Sequence, residues 1–490
     1  MKHTTYHRPL KSAGSFAAAL CLMIAATLLL PSCDWFKPAR DPSKDKVYKE
    51  DDIGDLQGTK VYDPVTGEYR IERRVAGKVD TVKWQDVDEN RFPPITTGTM
   101  PPIGGTAPTT PTPPTTGPTA PGGTYNVSLL LPFLSQRSTA SGIDPNAYWG
   151  IHFYAGAKLA YQELERDGVK LNINVFDTEI PANNMNALLR KNELRDAHLV
   201  IGPYKREQVE QAAGFAKQNK TPLVVPHTAA MGIADNNPYY VQVNPSLKSH
   251  CEAIMRHVRK RHATENIVLV VRNENDEKAR LKYFQDANAA IEGKREGSQM
   301  REFVVSGNYN NINVDSYIRR GRSNVFIVPS WASEPFVYSL LRQLMLKVSE
   351  GEDITVYGMP AWVDYEQVDF EYYERLNVHI SSGNFINRND ERVRQFNRRF
   401  FDTYATIARD EAFIGYDIML YFGKMINKYG REFPTYIDRE NYDVLSGRFQ
   451  FQRIVLEPEK HRENLSYYDQ VENTFVHILQ FKDYHFRAAD

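Results

Sequence analysis

Cysteine is almost missing from this chain: of 490 residues three are cysteine, Cys21, Cys33 and Cys251. The first lies inside an apolar run and the second just behind it, so Cys251 alone remains for everything that follows. A single thiol closes no disulfide, and without a C-x-x-C pair there is no zinc or dithiol redox motif of that kind. An excess of one charge is missing too. Lys and Arg number 60 against 61 Asp and Glu, a net charge of −1, which leaves no electrostatic footprint for nucleic acid. Also absent are the local signatures of the common catalytic sites: no G-x-S-x-G elbow, no H-E-x-x-H, no G-x-x-x-x-G-K-[ST] and no G-x-G-x-x-G. The expectation is a non-enzymatic chain with no metal and no cofactor, stabilised by ordinary core packing.

Long apolar runs are nearly lacking as well. The exception is "FAAALCLMIAATLLL", Phe16 to Leu30, preceded by Lys2, Arg8 and Lys11. It is short for a membrane span and suits the apolar region of a secretory signal. The residues that end it, Leu30-Pro31-Ser32-Cys33, resemble the bacterial lipobox, with Pro31 a departure from the usual small or β-branched residue. That resemblance implies a signal peptide over residues 1–33, lipid on Cys33, and attachment to a membrane through it. The other reading is an uncleaved signal anchor.

Behind Cys33, residues 34–92 are polar and contain two hairpin patterns, "KVYDPVTGEYRI" and "RRVAGKVDTVKW", each with turn chemistry between β-prone residues. Residues 93–123 are rich in Pro, Thr and Gly and offer almost nothing to bury, which marks a spacer.

From residue 124 the pattern changes. "YNVSLLLPF" is apolar on both faces, as a parallel strand is. The helix "YWGIHFYAGAKLAYQELERDG" follows, with Gly150, Ala155, Gly156 and Ala160 allowing close approach to a sheet. Then come "LNINVFDTE", "AHLVIGP", the helix "REQVEQAAGFAKQN" and "TPLVVPHT". After the extended "PYYVQVNPS" the alternation repeats through "NIVLVVRN", "REFVVSG", "NVFIVPS" and "ITVYGMP" with helices between. This predicts two α/β, Rossmann-like lobes with parallel sheets, whose ligand-binding positions are the carboxyl ends of the strands.

The serial order of these segments, closed by "GYDIMLYF" and "SGRFQF", resembles the type I periplasmic-binding-protein superfamily, nearest to branched-chain amino-acid-binding proteins. "YGMPAWVDYEQVDFEYYERLNVHISSGNF" is similar to lipoproteins of Bacteroidetes-type bacteria with that domain. The resemblance spans residues 124–490. It implies two lobes crossed three times by the chain, lobe 1 at about 124–245 and 385–430, lobe 2 at about 246–384 and 431–490. It further implies a ligand taken up in the cleft.

In the amino-acid binders a Ser or Thr after "IGP" and a second hydroxyl near the next strand end hold a carboxylate. Here those places read Lys205-Arg206 and Val225, with His227 and Thr228 close by. Lys205 and Arg206 suit a larger anion at a helix start, or are ordinary solvated charges. Asp177, Ser330, Trp331, Glu334, Trp362 and Asp364 complete the candidates at strand ends. Either Trp stacks on a ligand ring or fills core. Tyr416 and Asp417 read as packing, and the basic run "RHVRKRH", Arg256 to His262, as a solvated helix end.

Two functions are consistent with these residues. One is a lipid-anchored envelope protein, on the outer membrane of a bacterium, capturing a small polar or anionic ligand for uptake or sensing, with a permease as partner. The other is a non-enzymatic interaction protein similar to the lipoprotein activators of peptidoglycan synthases, with a cell-wall enzyme as partner.

Overall fold

The computed structural model describes residues 58–62, 69–73, 123–139, 142–180, 184–229, 232–233, 236–294, 296–307, 309–456, 460–461, 464 and 467–489. Cys33 with its apolar leader, the second hairpin pattern and the spacer as far as residue 122 lie outside them. The chain divides into two units, residues 1–109 and residues 110–490. In the first, Gly58–Tyr62 (β1) and Tyr69–Arg73 (β2) pair antiparallel, Gly58 opposite Arg73 and Tyr62 opposite Tyr69.

In the second unit apolar runs set the strands. Tyr125, Val127 and Leu129 to Leu131 of Thr124–Leu131 (β3) are all buried, because helices cover both faces of its sheet. Beside it lie Lys170–Asp177 (β4), Leu199–Ile201 (β5), Leu223–Val225 (β6) and Tyr240–Gln242 (β7), all parallel. A second parallel set comprises Ile267–Arg272 (β8), Arg301–Val305 (β9), Ser323–Ile327 (β10), Asp353–Gly358 (β11) and His379–Ser382 (β12). Then follow a small hairpin, Tyr442–Val444 (β13) and Gly447–Phe449 (β14), and the strands Phe451–Ile454 (β15), Gln470–Asn473 (β16), His477–Lys482 (β17) and His485–Ala488 (β18). The two large sheets run β15-β16-β7-β6-β5-β3-β4 and β18-β17-β12-β11-β10-β8-β9. This is a two-lobed α/β architecture of mostly parallel sheets. Among the described residues no helix is long and apolar enough to cross a membrane.

One expected boundary is corrected. Residues 431–473 do not join the second lobe: β15 and β16 extend the first sheet, with Val471 opposite Val241. The last crossing therefore falls between Asn473 and His477, where β17 enters the second sheet antiparallel to β12. The reason is local, since β16 ("QVEN") is fully buried but mostly polar and is held by ladder bonds and not by an apolar pattern.

The longer helices are Tyr148–Arg166 (α1), Arg206–Asn219 (α2), Leu247–Arg259 (α3), Asn275–Glu292 (α4), Glu334–Ser349 (α5), Glu391–Tyr404 (α6) and Asp410–Tyr429 (α7). The second crossing, after β12, returns the chain to lobe 1, where α6 and α7 pack on α1 through Leu159, Phe396, Phe400 and Phe413. A second correction lies here. Gly150 does approach the end of β3, its missing Cβ lying 2.7 Å from the Pro132 carbonyl oxygen, but Gly156 faces a helix and not the sheet. A Cβ on Gly156 would stand 1.8 Å from the Ala412 carbonyl oxygen, and one on Gly415 2.1 Å from that of Phe153.

The crossings meet closely. A Cβ on Gly383 would come within 2.9 Å of Asn244 Oδ1, and one on Gly447 (φ +140°) within 2.1 Å of His477 Nε2. The buried Glu472 of β16 accepts from the Ser246 backbone N–H (2.9 Å) and the Ser249 hydroxyl (2.6 Å), where α3 of lobe 2 begins. Its charge faces the positive end of that helix, and two donors offset its desolvation.

The α1–α7 contact is backbone against backbone, so no side chain can swing away to relieve a clash. Gly156→Ala is expected to lower unfolding stability by about 3 kcal/mol, read from the urea midpoint; an unchanged midpoint would contradict this packing.

Candidate functional site

The carboxyl ends of β4, β5 and β6 form the lobe 1 part of the candidate site. Asp177 closes β4, and its carboxylate accepts from the Phe133 N–H (3.1 Å), the Ser135 N–H (2.9 Å), the Ser135 hydroxyl (2.7 Å) and the Glu179 N–H (3.0 Å). Burial pushes its pKa up, and bonds from Ser135, Glu179 and Phe133 outweigh that, leaving it below the usual value. Asp177 thus organises the loop leaving β3. Lys205, the residue before α2, pairs with Glu179, and Arg206 pairs with Glu210 one turn along at 3.1 Å. Gln208 joins the first pair, its amide 3.1 Å from the Thr178 carbonyl and 3.2 Å from Glu179 Oε1. Both cations are exposed and both have partners on their own lobe.

His227 is exposed but far from isolated. Its ring stacks on Tyr204 at 4.1 Å and 22°, and Tyr204 meets Trp149 at 4.5 Å; Trp149 in turn stacks on the buried Phe153 at 5.0 Å. Desolvation lowers the His227 pKa. The Asn244 amide, on the first crossing, donates to the His227 carbonyl at 2.9 Å. Thr228, next along, is half-buried. Trp149 and Tyr204 were not singled out from the sequence. The available signal was their position: Tyr204 follows "IGP" directly, and Trp149 opens the helix after β3.

The lobe 2 part follows β10 and β11. Ser330 is buried, its hydroxyl donating to Glu277 Oε1 at 2.8 Å, and Glu277 also accepts from the Arg272 N–H (2.8 Å) and guanidinium (2.9 Å). Trp331 is half-buried and meets His250 edge-on at 5.5 Å. His250 is buried, and desolvation holds its pKa at about 4. Glu334 accepts from the Gln367 N–H, and the Tyr365 hydroxyl donates to the Trp331 carbonyl at 3.2 Å. Trp362 has no exposed surface: its indole N–H donates to the Ser330 carbonyl at 3.0 Å and its ring lies over Gly358, where a Cβ would sit 2.4 Å away. Of the two tryptophans, Trp362 is the one that fills core. Asp364 is exposed at the end of the turn Pro360–Asp364.

Two local groups result. In lobe 1, Asp177 and Lys205 are joined through Glu179, and His227 is joined to Tyr204 and Trp149. In lobe 2, Ser330, Trp331, Glu334 and Trp362 are joined through Tyr365 and Gln367, whereas Arg206, Thr228 and Asp364 stand apart from these networks. The arrangement offers ring faces and fixed dipoles, which suit binding.

No family model matches this chain, and no curated protein matches it. Solved structures do. A branched-chain amino acid ABC transporter protein from Rhodospirillum rubrum is 15% identical, with 74% of this chain and 99% of that chain covered, at a TM-score of 0.54. An ABC transporter substrate-binding protein from Desulfitobacterium hafniense is 16% identical, covering 75% and 100%, at 0.50. LpoA from Haemophilus influenzae is 12% identical, covering 74% and 58%, at 0.48. The fold is that of the type I periplasmic binding proteins.

The stack on His227 yields a direct check. In Tyr204→Ala the ring is rehydrated, so the His227 pKa is expected to rise toward the ordinary 6.5 in an NMR titration. An unchanged value would mean that Tyr204 does not shield it.

Proposed function

We propose that this chain is a non-enzymatic, extracytoplasmic binding protein, tethered to a bacterial membrane through lipid on Cys33, that takes a small ring-bearing polar ligand between its lobes. The observation that carries this reading is the pair of accessible ring surfaces at strand ends: the His227–Tyr204–Trp149 stack in lobe 1 and Trp331 in lobe 2. Rings of this kind hold planar or sugar-like solutes by their faces while polar edges find partners around them. A free amino acid suits the site less well. Where the amino-acid binders present hydroxyls, Lys205 is held by Glu179 and Val225 is buried.

The same filling of the ligand loop by the protein's own side chains supports a second reading, a non-enzymatic envelope interaction protein that engages a cell-wall enzyme. A thermal-shift screen of amino acids, sugars, nucleosides and muropeptides separates the two. Under the first reading a ring-bearing class raises the melting temperature in a saturable way, by about 2.7 kcal/mol of added stability at a hundredfold excess over Kd. Trp331→Ala removes that shift when its melt is measured against its own unliganded baseline, which the loss of a ring packed on the lobe 2 core lowers. Silence from every class would overturn ligand capture and leave the interaction reading.

The tether is tested separately. Cys33→Ala is expected to release the protein from the membrane fraction, and full retention there would contradict lipid attachment.

A further inference from the structure

The basic run Arg256 to His262 does more than end a helix. The helix α3 packs on β12 and β17, and its last turn lies beside the start of β8, reached through the turn Thr264–Asn266. It therefore covers the amino ends of the lobe 2 strands, opposite the carboxyl ends where Ser330 and Trp331 sit. The sheet face beneath it is apolar on β8 and β10, through Ile267, Leu269, Val325 and Ile327, but polar toward β12 and β17. Tyr357 of β11 stands opposite His379 of β12, which stands opposite Gln480 of β17. Thr355 and Asn377 continue this polar surface. With Arg261 and His262 these side chains surround a cavity of about 220 Å3. A larger crevice of about 640 Å3, lined in part by Glu252, Arg256, His257 and Lys260, adjoins it at Ala489.

The neutral groups of this surface satisfy one another, the Gln480 amide donating to Asn377 Oδ1 at 2.6 Å and the Asn377 amide to the Thr355 hydroxyl at 3.2 Å, so it is the charge beside them that says what the cavity can take. Among the described residues that line the smaller cavity none is a carboxylate, while Arg261, His262 and His379 are cationic or can become so. Hydrogen bonding orients the donors. Arg261 donates to His257 Nε2 at 2.8 Å, so a neutral His257 carries its proton on Nδ1 and donates to the Tyr357 oxygen at 2.9 Å. The Tyr357 hydroxyl, accepting from His257, keeps its own proton to donate. His379 Nδ1 donates to the Asn377 carbonyl at 2.8 Å, which leaves Nε2 as an acceptor until the ring takes a second proton.

We propose that this cavity is a second binding site, separate from the cleft, for a tetrahedral oxyanion such as inorganic phosphate or sulfate or the phosphoryl group of a larger solute. Arg261 supplies the permanent charge, Tyr357 a neutral donor, and His379 a donor once protonated. The groups facing His379 are His257, Arg261 and His262 from α3 and its exit, Tyr357 from β11, and Gln480 from β17 with Arg487 opposite it. Asp353 is the carboxylate that acts on His262. Burial holds the His379 pKa down to about 4, with the Asn377 carbonyl pulling up and His257, Arg261 and His262 pulling down. An oxyanion against the ring reverses that balance, so binding takes up a proton and tightens as pH falls.

Sulfate is the probe, because its charge is constant across the range. Calorimetric titration of the full chain at matched ionic strength, with chloride as control, is expected to give binding at least about tenfold tighter near pH 5.5 than near pH 8. Arg261→Gln abolishes binding at both, and His379→Gln leaves weak binding with no pH dependence. Inorganic phosphate against glycerol phosphate then separates a free oxyanion from a phosphoryl group on a larger solute. No heat with sulfate at either pH, or binding that survives both substitutions unchanged, overturns the proposal. If Arg261→Gln fails to fold, His379→Gln decides alone: a persistent tenfold pH dependence overturns it and a flat profile supports it.

Discussion

The constraint on which the two lobes depend is the closeness of the three chain crossings. They converge where side chains have no room: Gly383 lies against Asn244 and Pro245, and Gly447 against His477. Glu472 fixes the joint by accepting from both Ser246 and Ser249 at the start of α3, so one carboxylate of β16 in the first sheet holds the N-cap of the first helix of the second lobe. Short crossings and bonds of this kind hold the ends of the two sheets in register while each lobe keeps its own core. His477, in the last crossing, is half-buried and its pKa is held at about 4 by desolvation.

The lobe 1 surface beside that joint is built from aromatic rings. Tyr204 and His227 stack on each other and Trp149 backs them, so the wall offers ring faces. Lys205, which reads as a cation waiting for a ligand, instead ties α2 to the end of β4 through Glu179. The wall is rigid for the same reason, since Trp149 rests on Phe153 in the core and Asp177 pins the loop beside it. Preformed surfaces of this sort lose little entropy on binding.

Much of the fold was legible in the sequence because long apolar strands separated by helices allow few arrangements. β3, β8 and β10 read directly, as buried runs of Val, Leu and Ile. β16 did not, because Gln470, Glu472 and Asn473 are polar yet buried, and only their pairing partners explain them. That gap moved the last crossing from about residue 430 to the stretch after Asn473. Gly156 was legible as a close-approach residue but not as one facing α7, since a one-dimensional pattern does not say which element comes near. For the site, chain position identified strand ends but not exposure. Trp331 and Trp362 looked equivalent, yet one is half-buried beside His250 and the other is sealed under Ser330. Trp149 escaped notice because its role comes from Tyr204 and His227, residues far away along the chain.

The central claim is that a small solute occupies the ring-lined cleft. Native mass spectrometry of the intact chain, after dialysis against a small-molecule extract of bacterial envelopes, tests it most directly. The account predicts a single low-mass adduct that disappears in a Tyr204→Ala, Trp331→Ala double variant while the folded charge-state distribution is kept. An adduct-free spectrum at saturating extract, or an adduct indifferent to both rings, would contradict it.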